Sequence, residues 1–177
     1  SITWINREQA TVTGVEFEAR KSLEALTDHL KGLTLGANIA LIQSETAFSA
    51  DEYQFKTNSA FHTGLNRPLF DQSPYIINLD LNYECPTSGT SVTLAANLTG
   101  ERIVLTTAQG PDIYEHPPVT LDLVIGQKLG KHWSFRFGVK NLLDPEYLQT
   151  FGREAQSAVR QAYKRGRTFS LAVAAEF

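Results

Sequence analysis

The sequence predicts an all-β fold of antiparallel, amphipathic strands. Three observations carry this. Apolar residues recur with a period of two along seven separate stretches, the pattern of a strand with one dry and one wet face. Each stretch is roughly 9–12 residues long. Soluble strands peak near about 5–6 residues, whereas a tilted strand crossing a bilayer needs about 9–11. The connections also differ in length, short in some places and long in others, as in barrels with short turns at one rim and long loops at the other.

Taken in order, residues 11–19 place Val15, Phe17 and Ala19 opposite Gly14, Glu16, Glu18 and Arg20. Residues 33–41 set Leu33, Leu35, Ala37, Ile39 and Leu41 against Thr34, Gly36, Asn38 and Ala40. Residues 75–84 set Tyr75, Ile77, Leu79, Leu81 and Tyr83 against Asn78, Asp80, Asn82 and Glu84. Val92, Leu94, Ala96 and Leu98 alternate with Thr93, Ala95, Asn97 and Thr99. Val119, Leu121, Leu123 and Ile125 alternate with Thr120, Asp122, Val124 and Gly126. Trp133, Phe135, Phe137 and Val139 alternate with Ser134, Arg136, Gly138 and Lys140. The last stretch carries Phe169, Leu171, Val173, Ala175 and Phe177 on one face. Ile2, Thr3 and Trp4 read as the end of an eighth strand.

Two segments depart from this period. Leu23, Leu26 and Leu30 sit at helical spacing before Gly32, so residues 22–32 read as a short helix or turn. Ala155, Val159 and Ala162 make residues 152–163 a loop with helical content. The connections at 85–89 and 129–132 are short, and those at 46–73, 106–117 and 142–163 are long.

Period two does not say which face is inside. In a soluble sandwich or a lipocalin-like barrel the apolar face is the core; in a membrane barrel it meets lipid and the lumen is polar. Strand length favours the membrane barrel. So do the aromatics near strand ends (Tyr75, Tyr83, Trp133, Phe135, Phe177) and a polar face carrying Glu16, Glu18, Arg20, Asp80, Glu84, Asp122, Lys128, Arg136 and Lys140. A self-contained eight-stranded outer-membrane barrel with a structural or adhesive role and a soluble lipocalin-like binding domain are the alternatives.

Composition narrows the function. No apolar run is long enough for a membrane-spanning helix. Sixteen basic and nineteen acidic residues leave a net charge of −3, with no basic run interleaved with aromatics, so nucleic acid is not an expected partner. The lone Cys85 has no partner for a disulfide and no base near it in sequence. His29, His62, His116 and His132 are scattered, so neither a metal site nor a cofactor is expected. Glu16 and Glu18 read as part of a polar face rather than a catalytic pair, and no G-x-S-x-G element appears, so no catalytic residue is assigned and no enzyme is expected. The chain starts at Ser1 and contains no methionine, which reads as a segment of something longer.

Several segments resemble, in family order, the C-terminal part of the barrel of TonB-dependent outer-membrane receptors. Residues 14–18 (G-V-E-F-E) resemble the family's G-V-E-x-E strand, and residues 72–79 (Q-S-P-Y-I-I-N-L) its Q-S-P-Y-x-x-N-L strand. Leu81-Asn82-Tyr83-Glu84, Leu121-Asp122-Leu123, the N-L-L-D-P-E-Y run from Asn141 to Tyr147 and the G-R-T-F-S-L run from Gly166 follow. Arg165 stands where the family often has proline, a departure confined to the loop entry. The resemblance implies that residues 1–177 are the C-terminal portion of a receptor barrel in the bacterial outer membrane, without the plug domain. Such receptors bind a scarce small-molecule nutrient (a metal chelate such as siderophore-iron, cobalamin or a glycan) and import it with energy from the TonB complex, reached through the plug. A segment of wall would not transport alone. A barrel of about 22 strands needs roughly 220 residues in strands, so 177 residues read as about the last third of the wall.

The same reading supplies candidate residues. Tyr53, Phe55, Phe61, Tyr114, Tyr147, Phe151 and Arg153 lie in the long connections and are the expected ligand contacts. Phe169, Leu171, Val173 and Phe177 resemble the C-terminal signal read by the barrel-assembly machinery, a strand suited to recognition by strand addition. Arg153, Arg160, Lys164, Arg165 and Arg167 form a basic cluster expected to meet lipopolysaccharide or an anionic ligand. Asn141, Asp144 and Gly166 sit where a loop leaves and rejoins strands, positions that favour side chains bonding the local backbone and a residue tolerant of unusual φ.

Overall fold

The computed structural model describes residues 9–58, 66–107, 110–154 and 158–176. The expected strand end at Ile2-Thr3-Trp4, the loop residues Phe61 and His62, and terminal Phe177 lie outside the described residues. In chain order the elements are β1 (Ala10–Ser22), β2 (Leu33–Ala47), α1 (Ala50–Asn58), β3 (Asn66–Arg67), β4 (Tyr75–Cys85), β5 (Thr90–Thr99), β6 (Arg102–Leu105), β7 (Ile113–His116), β8 (Thr120–Leu129), β9 (Trp133–Lys140), β10 (Glu146–Phe151), β11 (Val159–Lys164) and β12 (Thr168–Ala175). All seven expected amphipathic stretches are strands, and they pair as neighbours in the order β1-β2-β4-β5-β8-β9-β12, antiparallel throughout. Among the described residues this sheet is an open segment of barrel wall with β1 and β12 at its edges.

The register keeps each face chemically uniform. Phe17 pairs with Ile39, Ile39 with Ile77 and Ile77 with Leu98. Farther along, Leu81 pairs with Leu94, Leu94 with Leu123, Leu123 with Val139 and Val139 with Phe169. Cross-strand apolar pairs of this kind are the unit of sheet stabilisation, and Phe137 and Phe169 stack diagonally across β9 and β12 with centroids 6.5 Å apart. Yet most of the face they make is bare: Phe17 is 64% and Leu171 71% exposed, with Val15, Leu35, Leu79 and Val173 also open, while Val139 is buried.

The opposite face is polar and bonded to itself. Asn38 Nδ2 donates to Glu16 Oε1 (2.6 Å), Asn78 Nδ2 to Asn38 Oδ1 (3.4 Å), Asn97 Nδ2 to Asn78 Oδ1 (2.7 Å), and the Thr99 hydroxyl to Asn97 Oδ1 (3.1 Å). A second row joins Arg20 Nη2 to Asp80 Oδ1 at 3.3 Å, with Asn82 donating to the same carboxylate and the Thr93 hydroxyl donating to Asn82. Arg20 and Asp80 lie on strands separated by β2, and the residue paired with both is Gly36. A Cβ there would stand 2.3 Å from Asp80 Oδ1, so the glycine is the gap through which the ion pair forms.

The connections alternate as expected. Residues 23–32, 86–89 and 130–132 turn at one end of the sheet, and residues 48–74, 100–119 and 141–167 connect at the other. The expected helix at 22–32 is two 3₁₀ turns, Leu23–Ala25 and Asp28–Leu30. Gly32 follows at φ +80, its carbonyl accepting from Glu84 N at 2.9 Å. The expected helical content at 152–163 is not found among the described residues: residues 159–163 lie in β11 instead, and 152–154 form a bend. Helical spacing is outweighed there by cross-strand partners, since Tyr163 stacks on Tyr147 of β10 (5.4 Å) and Arg160 Nη1 donates to Gln149 Oε1 (2.5 Å). No helix among the described residues is long and apolar enough to cross a membrane, which does not bear on strands.

The last long connection is clasped at its root by the two motifs that flank it. Asn141, at φ 58, donates from Nδ2 to the Gly166 carbonyl (2.7 Å), and its own N–H donates to Asp122 Oδ1 (2.8 Å). Gly166 N donates back to Asp144 Oδ1 (3.0 Å), and Arg167 Nε donates to the Leu142 carbonyl (2.8 Å). Gly166 has φ +77 and open space where a Cβ would go, so only backbone strain opposes a side chain there. We expect Gly166→Ala to cost about 1–2 kcal/mol, the price of the left-handed conformation for an L-residue, and Gly166→Asn to cost less. Denaturant unfolding in micelles checks this; equal midpoints for the alanine variant and the parent would refute it.

Candidate functional site

The long connections do not lie loose over the end of the sheet. Parts of two of them form a second antiparallel sheet in the order β11-β10-β7-β6, and the third contributes α1 and β3. Together these elements cap one end of the wall. The burial found among the described residues is concentrated in this cap: Ile103, Ile113, Tyr147 and Thr150 are buried, and with them Glu52, Lys56, Arg67, Asp112 and Glu115. Helix α1 starts on a reciprocal cap. Glu52 N donates to Ser49 Oγ (3.3 Å), while Ser49 N and Oγ donate to Glu52 Oε2 (3.1 and 3.2 Å).

The cap shapes a half-open cavity of about 490 Å³ between the end of β2 and all three long connections. Ile42 and Ser44 of β2, Lys56 of α1, Gln72 and Pro74, and Glu101, Arg102, Asp112, Tyr114 and Arg153 line it. Buried charge gathers at its base. Lys56 Nζ donates to Asp112 Oδ1. Arg67 Nη2 lies 3.3 Å from Glu52 Oε1 and its Nη1 3.9 Å from Asp112 Oδ2. Thr107 N donates to Asp112 Oδ1 (2.9 Å), and the Phe48 ring lies 5.6 Å from Lys56 Nζ and 5.9 Å from Arg67 Cζ. Two cations and two carboxylates thus leave the base neutral. Arg102 pairs with Glu115 (2.8 Å) and Asp71 (3.1 Å). Arg153 Nε donates to Glu101, whose other carboxylate oxygen lies 3.5 Å from His116 Nδ1. The Glu101 hydrogen bond and charge hold the Arg153 guanidinium above its ordinary pKa. Burial, and then the Asp112 carboxylate, push the Tyr114 phenol above its ordinary value.

The candidate contacts named from sequence fall into different surroundings. Tyr114 and Arg153 line the cavity. Tyr147 is buried, stacked on Tyr163, with the Arg165 guanidinium 3.9 Å from its ring centroid. Tyr53 and Phe55 are exposed on α1, Phe151 is exposed at the end of β10, and Phe61 lies outside the described residues. The basic cluster is dispersed: Arg153 turns to Glu101, Arg160 to Gln149, Arg165 to Tyr147 and Arg167 to the Leu142 carbonyl. Phe169, Leu171 and Val173 stand exposed on the apolar face of edge strand β12. Lys56, Arg67, Glu101, Arg102 and Asp112 carry the cavity's charge and escape a reading by sequence, because their partners lie tens of residues away. The Ser49-x-x-Glu52 pattern alone signalled locally that residues 50–58 are helical. Among the described residues no three His, Cys, Asp or Glu gather as a metal site.

The chain is similar in fold to the ferric citrate transporter FecA in its unliganded form. The superposition has a TM-score of 0.68 at 15% identity and covers 94% of this chain and 24% of that one. The chain therefore spans about a quarter of FecA's length, and the likeness speaks to a barrel segment as the fold. No family model and no curated protein matches the chain.

Two outcomes follow from the buried charges. Lys56→Met leaves Asp112 buried without its lysine and is expected to cost about 3–5 kcal/mol, whereas Lys56→Met with Asp112→Leu should lie near the parent; chemical denaturation of the double-mutant cycle measures both. The Tyr114 phenol is neutral in the fold and has a raised pKa, so its contribution is fully present below the unfolded value of 10.0. It is lost as pH rises from there through the folded value. Alkaline unfolding above pH 10 should be less steep in Tyr114→Phe, and a phenolate absorbance titration that shows no late-titrating tyrosine would refute this.

Proposed function

We propose that this chain is the C-terminal part of the barrel wall of a TonB-dependent receptor in the bacterial outer membrane, and that its cap forms part of the face that receives a metal chelate for import. The observation that carries the reading is the inversion of burial. A seven-strand sheet bares most of its apolar face, while charged residues are buried in the cap at one end. Water would penalise that apolar face, and lipid would not. The in-order motifs and the likeness to a ferric citrate transporter support the same reading.

The direction of the edge strands limits how the wall can close, in a self-contained eight-stranded barrel as in a larger receptor. β1 and β12 are separated by an even number of reversals across the seven-strand path, so they run in the same direction. Direct pairing of the two edges would be parallel, and an all-antiparallel closure needs an odd number of further strands. In the receptor reading the energy for import comes through the plug and TonB, while this chain's residues bind the chelate and hold it out of bulk water. A chelate of citrate is the first cargo to test.

The test uses the full-length protein in lipid vesicles. Trp133 stands exposed on the apolar face at the short-turn end, so lipids brominated near the headgroup should quench its fluorescence more than lipids brominated at the chain ends. Leu94→Arg on the apolar face should cost about 2–4 kcal/mol, against much less for Thr93→Arg on the polar face. Equal costs, or absence of quenching, would overturn the membrane reading. TonB-dependent uptake of radioiron citrate by cells expressing the protein tests the cargo.

A further inference from the structure

The three cations that line the cavity are all already engaged by carboxylates of the chain: Lys56 by Asp112, Arg102 by Glu115 and Asp71, and Arg153 by Glu101. The pairs differ in depth. The Arg153 side chain is 72% exposed, that of Arg102 30%, and that of Lys56 1%. An arriving anion therefore meets cations in a graded series from rim to base. Asp112 stands between two cations. One of its oxygens takes both Lys56 Nζ and Thr107 N, while the other is buried 3.9 Å from Arg67 Nη1 and accepts no hydrogen bond among the described residues.

We propose that Asp112 is an internal stand-in for a ligand carboxylate, so that the cavity takes carboxylate-bearing anions by exchanging Asp112 for a carboxylate of the ligand on Lys56. This rests on the reading of the cavity as a ligand site. Exchange leaves both cations of the base paired. A ligand carboxylate takes Lys56, and the displaced Asp112 stays beside Arg67, whose Nη1 lies 3.9 Å from Asp112 Oδ2; a buried cation left without a counter-ion is strongly opposed. The Arg153–Glu101 pair, screened by water, yields first at little cost; the Lys56–Asp112 pair yields last and selects for an anion able to reach it. The internal carboxylate also makes the site reject weakly bound monoanions.

The experiment uses the full-length protein in micelles, with citrate and ferric citrate as probes and acetate as the monoanion. Asp112→Asn leaves Lys56 without a counter-ion, so citrate should restore its thermal stability by a larger Tm shift than it gives the parent. Citrate should also bind this variant more tightly by roughly tenfold or more, the scale of a typical coupling between competing groups. The Lys56→Met, Asp112→Leu double variant should fold and show no citrate shift. In the parent, saturating citrate should speed hydrogen exchange at the Thr107 amide, which loses its carboxylate acceptor. Citrate binding by the parent with no tighter binding by Asp112→Asn and unchanged Thr107 exchange would overturn the stand-in alone. If neither protein binds citrate or ferric citrate, the ligand-site reading of the cavity falls, and the stand-in with it.

Discussion

The structure depends on the register of seven paired strands. Side chains in a strand alternate between faces with a period of two, so a slip of one residue between any two strands would carry that strand's whole apolar set to the polar side. The observed pairing avoids this across all six junctions of the path. Gly36 is where the constraint shows most directly: with a side chain there, Asp80 and Arg20 would not meet across β2. The polar rows in turn pin the register from the wet side, since Glu16, Asn38, Asn78 and Asn97 bond in sequence only when the four strands are aligned as they are.

From that alignment the two ends of the wall acquire different characters. One end needs only turns, because each hairpin there joins adjacent strands over three to ten residues. The other receives three long connections, and their proximity lets them share a sheet, a helix and a buried core. The core of the cap is partly ionic. Buried ion pairs contribute less to stability than apolar packing of the same volume, yet they fix which groups meet. Here they tie α1 to the segment around Asp112 and Arg67 to both Glu52 and Asp112. The cavity is the space left over where these ties, the end of β2 and the Arg153 segment converge.

The clasp at the base of the last connection explains why its flanking motifs read so clearly. The side chains of Asn141 and Asp144 bond the Gly166 backbone and that of Arg167 bonds the Leu142 carbonyl, across 22–25 residues. Asn and Asp tolerate the left-handed conformation that Asn141 and Asp144 adopt, and glycine adopts it freely. These residue types are dictated by the turn's geometry and need no ligand to account for them. Motif strength therefore marks the frame of the loop, and the charged residues of the cavity lie outside the motifs.

The sequence by itself determined the seven wall strands, their two faces, the alternation of short and long connections, and the loop-root residues. Each of these is local: a period of two, a turn residue or a glycine at positive φ is written in neighbouring positions. It did not determine β11, where helical spacing competes with cross-strand stacking of Tyr163 on Tyr147, nor α1, whose capping signal is only four residues long. The tertiary structure alone decided the cavity. Lys56 meets Asp112 across 56 residues and Arg153 meets Glu101 across 52, and no periodicity encodes such meetings. They exist because the wall holds the roots of three connections side by side, so that groups distant along the chain are brought together to neutralise one another, Lys56 and Asp112 away from water and Arg153 and Glu101 at the rim.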